Sequence, residues 1–256
     1  KASGLLQQRL GEKFEVHLAM RYKNPSIPSA LEKMRDKNYS KIIVLTMFPQ
    51  YASASTGSAL AEVMRVIQDW WVLPEIKMVS QYYDHPDYIA AFVDRGKQFD
   101  LRFYDHILFS YHGLPERQVD KVHMKGSCSD YNCEHIITDE NKFCYRAAAY
   151  ATTRLIASQL GLSPQHYTVC FQSRLDKKWL KPFSDEVVKD CAEKGMKKIL
   201  VFSPAFTADC LETIIEIGKE YQEIFREHGG EKVQLVESLN DHPLWIKCLA
   251  HLVTSV

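Results

Sequence analysis

The sequence predicts an α/β protein made of two similar halves, each a parallel sheet flanked by helices, with a functional cleft between them. Three observations carry this. Short β-branched runs alternate with stretches of helical periodicity along the whole chain. Such alternation calls for parallel strands whose connecting helices cover both faces of a sheet. The chain also repeats itself. Lys41-Ile-Ile-Val returns as Lys198-Ile-Leu-Val, and Asp84-His-Pro-Asp-Tyr-Ile returns as Asp241-His-Pro-Leu-Trp-Ile, at one common offset.

Strands are expected at residues 15–21, 41–47, 76–80, 106–111, 167–172, 198–203 and 233–237. Helices are expected at 29–37, 57–70, 86–99, 144–160, 185–194, 209–228 and 243–253. Pro28 and Ser29 supply one helix start, and Asp84-His85-Pro86 puts a proline in another first turn. In chain order this divides into a first half at 1–111, a connecting segment with a cysteine-containing insert at 112–164, and a second half at 165–256. The chain opens without a methionine and with the helix-like run Leu5–Leu10, so it is expected to start inside a longer protein.

Lys and Arg together number 32, as do Asp and Glu, and no basic block stands out. That argues against nucleic acid as a partner, because counterion displacement needs concentrated positive charge. The longest apolar runs fall well short of the roughly 18–20 residues that span a bilayer. Seven scattered cysteines do not form a disulfide framework. They indicate a reducing compartment, the cytoplasm. Cys170, Cys191 and Cys248 sit in apolar-periodic segments and read as small buried hydrophobes.

In open parallel sheets ligands bind beyond the carboxyl ends of the strands. Those ends are 48–56, 111–115, 172–174 and 204–209. His112 follows a strand directly and precedes Gly113 and Pro115. It is placed to act as a base or metal ligand, or as a loop histidine bonded to backbone. Asp209, Glu212, Glu216 and Glu220 recur at helical spacing, which puts four carboxylates on one face. A solvated acidic face explains such a run, and so does a track for a divalent cation or for protons. The small polar loop from Phe48 to Ser58 can cradle an anion at the next helix's start, or Thr56 there is simply an N-cap. No Gly-x-Gly-x-x-Gly, Gly-x-Ser-x-Gly or His-Glu-x-x-His is present, which weighs against dehydrogenase, hydrolase and zinc-protease chemistry.

These motifs together resemble one family. Ser110-Tyr-His-Gly-Leu-Pro resembles the Ser-x-His-(Gly/Ser)-Leu-Pro motif of ferrochelatases. Phe206-Thr-Ala-Asp-Cys-Leu-Glu-Thr is similar to their Phe-x-x-Asp-x-x-Glu-Thr helix start. Pro49-Gln-Tyr-Ala-Ser-Ala-Ser-Thr-Gly-Ser is similar to their Pro-Gln-Tyr-Ser-x-Ser-Thr-Thr-Gly loop. Phe171-Gln-Ser-Arg, Trp179-Leu and Met20-Arg-Tyr also match, in order and nearly end to end.

The resemblance implies two Rossmann-like, chelatase-like halves and the insertion of ferrous iron into a porphyrin with loss of two pyrrole protons. Protoporphyrin IX is the implied substrate, coproporphyrin III the alternative within the class, and a non-catalytic porphyrin- or haem-binding protein the alternative outside it. It implies His112 as proton acceptor or metal ligand, Glu212 as its carboxylate partner and Asp209 in support. Glu216 and Glu220 extend an acidic path for protons or metal. Arg21, Tyr22, Ser53, Trp179 and Phe206 match substrate-binding positions, where arginine meets a propionate and aromatic faces meet the macrocycle.

Porphyrins dissolve poorly, so at most peripheral membrane contact is expected. The family's N-terminal section is missing from this chain, and the loop after Gln172-Ser-Arg lacks its usual glycine. Residues 120–143 stand as an insert holding Cys128 and Cys133, with Cys144 following and His123 and His135 nearby. Some ferrochelatases carry a 2Fe-2S cluster on four thiolates. Cys128, Cys133 and Cys144 are the candidates here. The fourth ligand would be a distant cysteine or a histidine, and zinc is the other occupant considered.

Overall fold

The computed structural model of the chain describes residues 1–255. In order, the elements are α1 (Ala2–Leu10), α2 (Ile27–Arg35), β1 (Lys41–Leu45), α3 (Ser58–Ile67), β2 (Glu75–Val79), α4 (Pro86–Gly96), β3 (His106–His112), α5 (Glu116–Asp120), α6 (Tyr145–Gln159), β4 (Tyr167–Gln172), α7 (Ser184–Glu193), β5 (Lys198–Phe202), α8 (Gln222–Glu227), β6 (Lys232–Leu235) and α9 (Pro243–Thr254). Two π-helical segments, Ser53–Gly57 and Glu212–Tyr221, lead into α3 and α8.

The chain forms two compact units, Lys1–Tyr82 with the stretch from Asp241 onward, and Tyr83–Asn240. This differs from a division at 111 and 164. Backbone pairing is the reason: β3 is hydrogen-bonded to β4 on one side and β5 on the other, so it belongs with the later strands. Helix α9 packs on α1 and on β1, which returns the C-terminal helix to the first unit.

In the first unit β1 and β2 pair in parallel, Lys41 opposite Glu75 through Leu45 opposite Val79. Apolar side chains at helical spacing on α2 (Ile27, Leu31) and α3 (Val63, Ile67) meet in a buried cluster that Val44, Ile76 and Met78 of the sheet complete. Ser26 starts α2 by accepting a hydrogen bond from the Ser29 amide at 3.2 Å. Residues 15–21 do not form the expected strand. The Gln7 side chain takes up the backbone there, accepting from the Val16 amide at 2.7 Å and donating to the Phe14 carbonyl at 2.8 Å. Thr56 is not an N-cap either. It lies inside the π-helical segment, fully buried, and Gly57 precedes α3 without a side-chain cap.

The second unit holds a four-stranded parallel sheet in the order β4-β3-β5-β6. Central β3 is buried from His106 to Tyr111, as a strand covered on both faces must be. On one face Leu108, Ile199 and Val201 pack with Val188 and Cys191 of α7 and with Ile217, Tyr221 and Phe225. On the other face Phe109 and Phe202 stack at 5.0 Å, and Tyr111 hydrogen-bonds Thr153 of α6 at 2.9 Å. Cys170, Cys191 and Cys248 are buried, as their apolar settings led us to expect.

The expected helix 209–228 begins later, at Leu211, and is π-helical to Tyr221. Asp209 stays outside it because its carboxylate accepts from the Ser238 amide at 3.1 Å and from Asn240 Nδ2 at 2.7 Å.

Candidate active site

The second unit's site grows from the carboxyl ends of β3 and β4. His112 stands opposite Gln172 in register, and the chain turns at once: the Gly113 amide donates to the Gln172 carbonyl at 2.7 Å. A side chain at 113 has no room. A Cβ there would stand 2.7 Å from that carbonyl oxygen and 3.2 Å from Trp179. This close approach is why glycine follows the histidine.

His112 is half-buried. Its Nδ1 lies 2.7 Å from the Gly113 carbonyl oxygen, which can only accept. Nδ1 therefore carries the proton, and in the neutral ring the lone pair is on Nε2. Two aromatic rings flank the imidazole, Trp179 at 6.5 Å and Phe206 at 6.2 Å between centroids. Trp179 is fixed by a short bridge: its neighbour Leu180 donates to Leu114, and Glu116 donates to Lys178. The Tyr145 hydroxyl donates to the His112 carbonyl at 2.9 Å.

Glu212 begins the π-helical segment and is half-buried. Its carboxyl is held below the usual carboxylate range by the Cys210 thiol, which donates to it, and by a backbone amide; the attraction of nearby His112 adds a smaller share against the cost of burial. Burial pushes the Cys210 thiol up to about 11, and the Glu212 contact adds to that.

The remaining acids divide. Glu216 is gripped by four donors: the Ser173 amide at 2.8 Å, the Ser173 hydroxyl at 2.5 Å, Gln172 Nε2 at 3.1 Å and the Tyr221 hydroxyl at 3.1 Å. Ser173 reaches it from a left-handed backbone with φ of 60°. Glu220 is exposed, and Asp209 binds the 238–240 strand exit and Thr213 rather than lining the helix face. Asp209 thus stands apart from the three acids of the π-helical segment. Glu216 is tied to the end of β4 and Asp209 to residues 238–240, while Glu212 is half-buried and Glu220 exposed.

Gln172 has a part that the sequence left unassigned. Only 1% exposed, it accepts from Ser110 through Oε1 and donates through Nε2 to both the Glu212 carbonyl and Glu216. Its position at a strand end was readable, but its role was not, because a buried glutamine's partners come from distant elements. Leu211 and Ile214, beside Glu212 in the chain, and Leu175, just after β4, are exposed apolar side chains.

In the first unit Arg21 lies 4.8 Å from the Tyr22 ring and donates through Nε to the Ser58 hydroxyl at 3.0 Å, at the start of α3. Tyr22 and Ser53 are exposed. An arginine and a helix start brought together suit a carboxylate or another anion.

The insert forms a separate centre. Cys128, Cys133, Cys144 and His123 are all buried, and one potential ligand atom from each lies within 4.8 Å of every other. The Cys128 and Cys144 sulfurs are 3.5 Å apart, and Cys133 Sγ is 3.9 Å from His123 Nε2. Hydrogen bonds from the Cys128 and Cys144 thiols pull Cys133 far toward thiolate, while the same contact with Cys133 drives Cys128 up. His123 is thus the fourth donor that sequence spacing left open; His135 stays outside the set. A two-iron cluster hangs its ligands on two metal atoms, so donors on opposite irons stand farther apart than the edge of one tetrahedron. Four donors drawn this close do not fit that spread.

The ferrochelatase family model matches residues 1–256. A ferrochelatase of Legionella pneumophila (strain Lens) is 41% identical over 249 residues, covering 97% of this chain and 74% of that protein. One of Coxiella burnetii (strain Dugway 5J108-111) is 39% identical, covering 98% of this chain and 72% of its own. Among solved structures, SirB from Bacillus subtilis with Fe3+ superimposes with a TM-score of 0.62 at 14% identity, over 99% of this chain and 87% of that one, a likeness of fold. With its sequence matched end to end by the family and its parallel α/β units matched by a chelatase structure, the chain belongs to the ferrochelatase family.

Proposed function

We propose that this chain inserts ferrous iron into a porphyrin, releasing two pyrrole protons, and that protoporphyrin IX is the porphyrin. Family membership supports the reaction. The observations that carry the assignment of residues are the Nδ1 bond of His112 to Gly113 at the end of β3 and the half-buried, ionised carboxyl of Glu212 at the start of the π-helical segment. Insertion needs a base facing the pyrrole N–H groups and an anionic neighbour that tolerates both incoming Fe2+ and outgoing protons. His112 fits the base, because its Nδ1 bond to Gly113 leaves the Nε2 lone pair free for a proton. Glu212 fits the anion. A carboxyl held low stays ionised, so it stabilises the imidazolium as it forms and offers an oxygen to the metal.

Glu216, gripped by four donors, positions the Glu212 segment through Gln172 and Ser173. Glu220, exposed, is the outermost acid on a path to solvent for iron or protons. Trp179 and Phe206 present faces to a flat ring. Exposed Leu175, Leu211 and Ile214 favour the more apolar protoporphyrin over a tetracarboxylate such as coproporphyrin. Within the first unit Arg21, Tyr22 and Ser53 offer a group suited to an anion such as a carboxylate.

Fe2+ is a substrate here, not a resident cofactor. No helix among the described residues is long and apolar enough to cross a membrane. We infer peripheral membrane contact, through which an insoluble ring reaches the site, and a cytoplasmic setting consistent with seven free thiols. Anaerobic mixing with Fe2+ and each porphyrin, followed by visible absorption, tests the proposal. Metalloporphyrin bands should appear faster with protoporphyrin. Equal or faster turnover of coproporphyrin overturns the substrate assignment, and binding without metalation of either overturns the enzyme.

A further inference from the structure

We propose that His123, Cys128, Cys133 and Cys144 hold one tetrahedral metal ion of the zinc class, which staples the 120–143 insert to the start of α6. The argument is geometric. A Zn–S bond of about 2.3 Å and a Zn–N bond of about 2.0 Å place donors at the corners of a tetrahedron with edges of about 3.5–3.8 Å. The two separations given by direct contacts, 3.5 Å between Cys128 and Cys144 and 3.9 Å between Cys133 and His123, bracket that edge. They also pair the four donors into two opposite edges, which is how a tetrahedron divides.

The surroundings agree. Asn141 Nδ2 donates to Cys133 Sγ at 3.5 Å, the kind of outer bond that orients a thiolate ligand. His123 stacks on Tyr131 at 4.4 Å and 17°, which fixes its ring plane, and its buried Nδ1 makes no hydrogen bond, leaving Nε2 as the atom turned to the sulfurs. The Cys128 amide donates to Asp120 at 2.8 Å, tying the ligand loop to the end of α5. A recess lined by Cys128, Cys133, Glu134, His135 and Arg146 gives an ion a way in.

Three soft thiolates with one imidazole, the full donor group among the described residues, suit a closed structural site. The insert's regular structure is a single short turn, Cys128–Tyr131, so ligand bonds add to the hydrogen bonds that otherwise hold the segment.

The test is metal analysis and spectroscopy on protein purified without oxygen. One zinc per chain should survive dialysis, and cobalt exchanged into the site should give tetrahedral visible bands with thiolate-to-metal charge transfer. Cys128→Ser and Cys144→Ser should lose that charge-transfer band, His123→Ala should weaken retention at least ten-fold, and Cys210→Ala should leave the band in place. Metal-stripped wild type, which needs no variant to fold, should become susceptible to proteolysis within 120–143. Two irons with two acid-labile sulfides per chain, or wild-type protein with no thiolate-bound metal, overturns the proposal.

Discussion

At His112 one hydrogen bond decides the chemistry. The Gly113 carbonyl fixes the tautomer, and the fixed tautomer exposes Nε2 as acceptor. At Glu212 the deciding group is Cys210. Its thiol is the largest cause of the depressed carboxyl, so Cys210→Ala should let the Glu212 pKa rise toward the usual carboxylate value. The sign follows. A depressed carboxyl is ionised down to lower pH, and releasing it makes it protonate earlier on acidification. The acid limb of kcat/KM should therefore move to higher pH in Cys210→Ala, with little change at neutral pH; a limb that stays in place contradicts the role of Glu212 as an anion.

The positions of His112 at a strand end and Glu212 at a helix start were legible in the sequence, and such positions mark a sheet's ligand edge. What holds them was not. Gln172 and Ser173 reach Glu216 from the end of β4, across the sheet from its own π-helical segment, and His123 joins the thiols only once the insert folds back. Spacing along a chain carries no record of such convergence.

The elements were legible to within a few residues wherever a buried face imposed a period. Thr213, Ile217, Tyr221 and Phe225 are buried at every fourth position, the stripe that seats the π-helical segment and α8 on the sheet. The wider turn of that segment was not foreseeable, because the same stripe serves an ordinary α-helix. Residues 15–21 misled for the opposite reason: their alternation is real, but no neighbouring strand takes up the backbone.

Close packing also sets the limits of substitution. Gly96 ends α4 against β5, and a Cβ there would stand 2.8 Å from the Phe202 ring, which is itself stacked on Phe109. Gly96→Ala should cost about 1–3 kcal/mol through overpacking, read as a lower urea midpoint with an unchanged slope.

Over the whole molecule the repeat is structural. The Asp-His-Pro sequences start α4 and α9 in the same way, with His85 Nδ1 accepting from the Asp87 amide at 3.2 Å and His242 Nδ1 accepting from the Leu244 amide at 3.3 Å. The recurring Lys41 and Lys198 runs are β1 and β5, and each is followed by a π-helical segment leading into a helix. Equivalent caps should matter equally. His85→Ala and His242→Ala should each lower stability by about 1 kcal/mol, measured by urea unfolding; a large effect at one and none at the other would mean that the likeness is only in sequence. The repeat was visible in the sequence, but unit membership was not, because α4 and β3 join the later strands while α9 joins the earlier ones.

The pairing of a base with an anion is tested most directly by stopped-flow metalation of protoporphyrin under anaerobic conditions, comparing His112→Ala and Glu212→Gln with the unaltered protein while porphyrin binding is followed in parallel by fluorescence. Each variant should bind porphyrin within a few-fold of the unaltered protein and form metalloporphyrin at least a hundred-fold more slowly, in line with the loss of a positioned proton acceptor or its charged partner. Metalation at an undiminished rate in His112→Ala would contradict the account.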